Sequence, residues 1–123
     1  MAQPLLVSVI DDDESVREAL PDLLREFGFA VAAFSSAEAF LVSPELEQVR
    51  CLLLDIAMPG MSGPELLREL RRQGRQIPVI FITAHGEAAD RPRLLQQGAV
   101  DCLFKPFSEA DLIRALNAAL PVS

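Results

Sequence analysis

Positive charge is scarce in this sequence: 11 lysines and arginines stand against 18 aspartates and glutamates, for a formal net charge of −7 and an isoelectric point near 4.6. Such a surface repels the phosphates of DNA and RNA, which argues against direct nucleic-acid binding and favours a cation or a basic protein partner. Long apolar runs are missing as well. No segment approaches the ~18 residues that would span a bilayer, so no membrane partner is expected. No N-terminal stretch joins basic residues, an apolar run and a small-residue cleavage site, and the expected localisation is cytoplasmic. Cysteine occurs twice, Cys51 and Cys102, each time inside an apolar run where a reduced thiol serves as a small hydrophobe, and no disulfide is expected. Histidine occurs once, and His85 reads as a solvated loop residue rather than a ligand or base. Linkers, low-complexity tracts and solenoid repeats are absent.

Half of the 123 residues are hydrophobic, enough for one domain, residues 1–123, with a real core. Five short apolar runs stand at 5–10, 30–34, 51–56, 79–83 and 101–104, each followed by a segment with helical spacing. Continuous apolar runs alternating with helices predict an α/β fold, a five-stranded parallel sheet doubly wound with helices on both faces. Val16, Leu20, Leu23, Leu24 and Phe27 repeat at three and four, as do Leu66, Leu67 and Leu70, and Leu112, Ile113, Leu116 and Leu120. Capping-box spacings pair Ser35 with Glu38, Ser62 with Glu65 and Ser108 with Asp111, while Gly28, Gly74 and Gly98 stand where helices should stop. Two prolines disturb the order. Pro21 inside the first helix removes an amide donor at a cost of ~3 kcal/mol unless the helix bends, so a kink is expected. Pro92 moves the start of the fourth helix from Gly86 to the stretch Asp90 to Pro92, leaving it short.

In a doubly wound sheet, ligands bind outside the carboxyl ends of the strands, near the point where strand order reverses. The first strand runs into Asp11, Asp12 and Asp13, the third ends in Asp55, the fourth in Thr83, and the fifth just before Lys105 and Pro106. Carboxylates gathered there repel by about 3 kcal/mol per pair at ~6 Å and an effective dielectric near 20. One ammonium cannot offset three anions, so a hard divalent cation with oxygen ligands is expected. Mg²⁺, which takes one or two carboxylates plus a phosphate, suits the cluster best.

The runs VIDDDESVR at 9–17, LLLDIAMPGMSG at 52–63, FITAHG at 81–86 and GAVDCLFKPF at 98–107 resemble the receiver domain of bacterial two-component response regulators, along the whole chain and in the right order. The resemblance is greatest to FixJ-like receivers, which are often followed by a DNA-binding domain. It implies a (βα)5 flavodoxin-like fold with strand order 2-1-3-4-5. It also implies that Asp55 is the phosphoacceptor, taking a phosphoryl group from a phosphohistidine on a sensor histidine kinase. Asp12 and Asp55 would bind Mg²⁺ through their side chains, the Ala57 backbone carbonyl would be a third ligand, and Asp11 would act mainly through water. Asp13 is then surplus. Thr83 would donate its hydroxyl to the phosphoryl group, Lys105 would pair with a phosphoryl oxygen, and the bond between Lys105 and Pro106 would be cis. The surface from the fourth helix to the fifth is the implied output face, for a downstream effector domain or protein or for a homodimer. The chain would then be no enzyme beyond promoting its own phosphorylation and dephosphorylation.

Residue types support these roles, since phosphoryl transfer asks mainly for positioning and charge neutralisation, and a carboxylate needs no general base at neutral pH. Two positions depart from the family pattern. Cys102 stands where similar receivers carry an aromatic residue, so switching is expected to run through Thr83 and the fourth helix without an aromatic rotor. Ala57, two after the phosphoacceptor, cannot steer a hydrolytic water by a side chain, which shifts that expectation to His85. Two other functions fit the residues less well. A Mg²⁺-dependent aspartyl-phosphate phosphatase needs a general-acid aspartate where Ala57 stands, and a cap that 123 residues leave no room for. A degenerate receiver serving only as a binding module would not need the complete set Asp11, Asp12, Asp55, Thr83 and Lys105.

Overall fold

A computed structural model describes residues 4–84 and 91–120. In chain order these form β1 (Leu6–Ile10), α1 (Glu14–Glu26), β2 (Ala30–Phe34), α2 (Ala37–Leu41), a 3-10 turn (Pro44–Glu47), β3 (Val49–Asp55), α3 (Gly63–Arg72), β4 (Val79–Thr83), α4 (Arg91–Gln96), β5 (Asp101–Phe104) and α5 (Glu109–Ala119). All strands pair in parallel, in the order β2-β1-β3-β4-β5. This is the predicted doubly wound sheet.

Two apolar layers sandwich it. Side chains from α2, α3 and α4, including Phe40, Leu66, Leu67, Leu70 and Leu94, pack on one face with Leu52, Leu54, Phe81 and Cys102. Leu20 and Leu24 of α1 and Leu112, Ala115 and Leu116 of α5 pack on the other with Val7, Val9, Cys51, Leu53, Ile80 and Ile82. Successive strand residues point to opposite faces, which is why β3 and β4 must be apolar at nearly every position. β2 is the exception to the expected burial: it lies at the sheet edge, its side chains are mostly half-buried, and Ala33 is exposed.

Local differences from the predicted boundaries have local causes. β3 starts at Val49 rather than Cys51 because Val49 pairs with Leu6 across a register shift between Leu6 and Val7. It ends at Asp55, and Ile56 opens the turn. Ser36, not Ser35, caps α2, its Oγ accepting the Ala39 amide at 3.1 Å, which frees Glu38 from the expected capping box. Ser62 and Glu65 form the full reciprocal box at α3, and Ser108 accepts the Asp111 amide at 3.0 Å. Gly28, Gly74 and Gly98 follow α1, α3 and α4 with φ of 96°, 78° and 107°, the left-handed conformation that ends helices at glycine. Pro21 lies buried inside α1, which runs on to Glu26. The start expected for the fourth helix, and His85, fall wholly or partly outside the described residues.

Candidate functional site

The parallel register carries four strand ends to one edge of the sheet. Ile10 pairs with Leu54, Asp55 with Ile82 and Thr83 with Phe104, so Asp11, Asp55, Thr83 and Lys105 share that edge. β1 is flanked by β2 and β3, so strand order reverses there and opens the crevice that such sheets use for ligands.

Backbone bonds hold each tip in place. The Asp11 amide donates to Phe34 O at 3.1 Å, the Ile56 amide to Ile82 O at 3.2 Å, and the Lys105 amide to Thr83 O at 2.8 Å. Carboxylate oxygens of Asp11, Asp12 and Asp55 lie within 4.8 Å of one another, with Asp11 and Asp55 buried and Asp12 exposed. Lys105 Nζ donates to Asp11 Oδ2 at 2.9 Å, and the Asp13 amide donates to Asp11 Oδ1 at 2.9 Å. The ammonium is thus engaged with Asp11 in this state. The Lys105–Pro106 bond is cis, as the resemblance implied.

Burial first, then the neighbouring Asp11 charge and hydrogen bonding with the Asp12 and Asp11 carboxyls, together push the Asp55 carboxyl up to about 7 against the opposing pull of Lys105. Three acidic groups against the Lys105 ammonium and the Arg17 guanidinium, which is turned to the Asp11 backbone carbonyl, still leave an excess of acidic groups whose donor atoms are all oxygen. That set fits a hard divalent cation such as Mg²⁺.

Thr83 is buried at the end of β4, and the exposed Ala57 sits in the turn after Asp55. Asp13, the surplus acid, is the N-cap of α1, its side chain accepting the Ser15 amide at 2.9 Å. Cys102 is buried in β5, and neither cysteine forms a disulfide. Between α1 and the segment after β5 runs an apolar groove of about 310 Å³, lined by Val16, Leu20, Leu23, Pro106 and Phe107 and ending at Lys105.

Three residues of the site escaped the sequence reading. Arg17 Nη1 donates to the Asp11 backbone carbonyl at 2.9 Å. A Cβ on Gly63 would stand 2.4 Å from the Asp55 carbonyl oxygen, so the start of α3 can abut the strand end only as glycine. Glu38 Oε2 accepts the Met61 amide at 3.0 Å. A glycine at a first helical position and an arginine three after a helix start were the available signals. The Glu38 contact spans two elements and left none.

The chain matches a family model, the response regulator receiver domain, over residues 7–117. The response regulator protein TodT of Pseudomonas putida is 42% identical over 118 residues, 96% of this chain and 52% of TodT. The structure of the response regulator StyR is 47% identical with a TM-score of 0.85, covering 97% of this chain and 60% of StyR. The crystal structure of FixJ-N is 40% identical with a TM-score of 0.83, covering 99% of each chain. The chain therefore spans about half the length of the curated relatives it matches.

Proposed function

This chain belongs to the response regulator receiver domain family of two-component systems, and from that membership we propose that it is a phosphorylation-driven switch charged on Asp55 by a sensor histidine kinase in the cytoplasm. The observation that carries the reading is the convergence of the Asp11, Asp12 and Asp55 carboxylates against one ammonium. Asp12, Asp55 and the Ala57 carbonyl would hold Mg²⁺, with Asp11 acting through water. When bound, the ion supplies positive charge to the transferring phosphoryl oxygens.

An Asp55 carboxylate oxygen bonds to phosphorus as the bond from phosphorus to the donor histidine nitrogen breaks, the electron pair staying with the imidazole. Asp55 must be ionised to attack, and the cation and Lys105 favour that form against its burial. Lys105 then exchanges Asp11 for a phosphoryl oxygen, and the Thr83 hydroxyl donates to another. The apolar groove beside Lys105 offers the kinase a docking surface next to the reacting carboxylate.

Phosphorylation adds roughly −1.5 to −2 charges. Charge-assisted hydrogen bonds from Thr83 and Lys105, about 1.5–3 kcal/mol each, together approach the ~5.5 kcal/mol that inverts a 1:99 equilibrium. The element biased is the connection from Thr83 into α4, and the α4-β5-α5 face relays the change to an effector domain or to a second copy. No substrate beyond its own phosphoryl group is assigned to the chain, because Ala57 denies it the general acid of a phosphatase.

Incubation with a labelled small acyl phosphate tests the reading. The wild-type chain should take up one phosphoryl group with Mg²⁺ and none with chelator, and Asp55→Asn should take up none. Equal labelling of Asp55→Asn would refute the assignment.

A further inference from the structure

The turn between β3 and α3 carries Ala57, and its fixed points are few. Ile56 holds one end, donating to Ile82 O at 3.2 Å and accepting the Gly63 amide at 3.0 Å. The Ser62 and Glu65 capping box holds the other. Between them the Met58 and Met61 side chains pack against the core, and the Met61 amide donates to Glu38 Oε2, from outside the turn, at 3.0 Å. That carboxylate also occupies the space beside Gly60, where a Cβ would lie 2.7 Å from Glu38 Oε2 and where φ is +76°. Glycine at 60 and the carboxylate at 38 are therefore complementary parts of one contact. Ser36 caps α2 through the Ala39 amide, and Glu38 takes no part in that cap.

We propose that Glu38 is a positioning residue for the cation site: from α2 it clamps the turn after Asp55 and so fixes where the Ala57 carbonyl stands. Groups that orient a ligand without touching the metal are worth a large share of metal affinity, because an unheld ligand must be ordered at the moment of binding. The hydrogen bond ties α2 to the turn after β3, across 23 residues of sequence. The inference rests on the Mg²⁺ reading above and adds to it a residue outside the acidic cluster.

Mg²⁺ titration by calorimetry of the wild-type chain, Glu38→Ala and Glu38→Gln, with amide hydrogen exchange at Met61, separates the possibilities. Glu38→Ala should bind Mg²⁺ about tenfold more weakly, the low end of the effect of such supporting residues because the contact is exposed. Its Met61 amide should exchange faster. Glu38→Gln lacks the charge but keeps an acceptor oxygen, and its affinity should return close to wild type. Equal weakening in both variants would mean that only the charge of Glu38 mattered and would overturn the inference, as would unchanged affinity in Glu38→Ala with a faster Met61 amide. Failure of the wild-type chain itself to bind Mg²⁺ would instead overturn the cation reading, and this inference with it.

Discussion

Asp55 is held in a place that suits its neutral form better than its charged one until a cation arrives. Its carboxyl is pushed up to about 7, so the folded chain binds a proton there more tightly than the unfolded chain does. Between the unfolded value and 7 the native state holds more protons, and metal-free stability must fall as pH rises through that window. The melting temperature in chelator should therefore be higher at pH 5.5 than at pH 8, and the difference should shrink in Asp55→Asn. That variant should also melt higher than wild type at pH 8, by roughly 3–5 °C for ~1 kcal/mol in a domain of this size. A pH 8 melting temperature below wild type would show that burial and repulsion do not govern the site. Gly63 answers a different constraint. Since a Cβ there would meet the Asp55 carbonyl oxygen at 2.4 Å, Gly63→Ala should cost about 1–3 kcal/mol, as overpacking does, and slow phosphorylation by displacing the strand end. Denaturant unfolding and label uptake, measured together, check both effects.

Elements were legible where two physical signals agreed. β3 and β4 are apolar because both faces are covered, and α3 carries both an apolar stripe and a capping box, so sequence and structure coincide there within two residues. α2 shows what one signal alone leaves open. Adjacent serines, Ser35 and Ser36, satisfy the same composition rule, and only the backbone, extended at Ser36, decides which one caps. Ser36→Ala should cost about 1 kcal/mol and Ser35→Ala only a few tenths, as read from urea midpoints. The acidic cluster was legible because strand ends can be read one by one and the topology gathers them. The Lys105 pairing with Asp11 was not, because 94 residues separate the partners and either buried carboxylate was an available acceptor.

On the scale of the whole molecule, the sheet divides the chain into two faces that can respond separately. Cys51 packs under α1 and α5, where burial pushes its thiol up to about 12, and Cys102 packs on the face covered by α2, α3 and α4. If phosphorylation acts through α4, it should loosen one face and spare the other. Thiol labelling of the phosphorylated chain should then accelerate at Cys102 and stay slow at Cys51, with mass spectrometry assigning the sites. Equal protection of both would place the switch elsewhere. The missing aromatic at position 102 thus leaves a reporter in the region where the change is expected.

A crystal structure of the chain with Mg²⁺ and beryllofluoride, a mimic of the phosphoryl group, measures the central spatial claim directly. It should show the adduct on Asp55, the cation against Asp12, Asp55 and the Ala57 carbonyl, the Thr83 hydroxyl on a fluorine, and Lys105 moved from Asp11 to the adduct. An adduct on another residue, or Lys105 still bonded to Asp11 with no cation beside Asp12, would contradict the account.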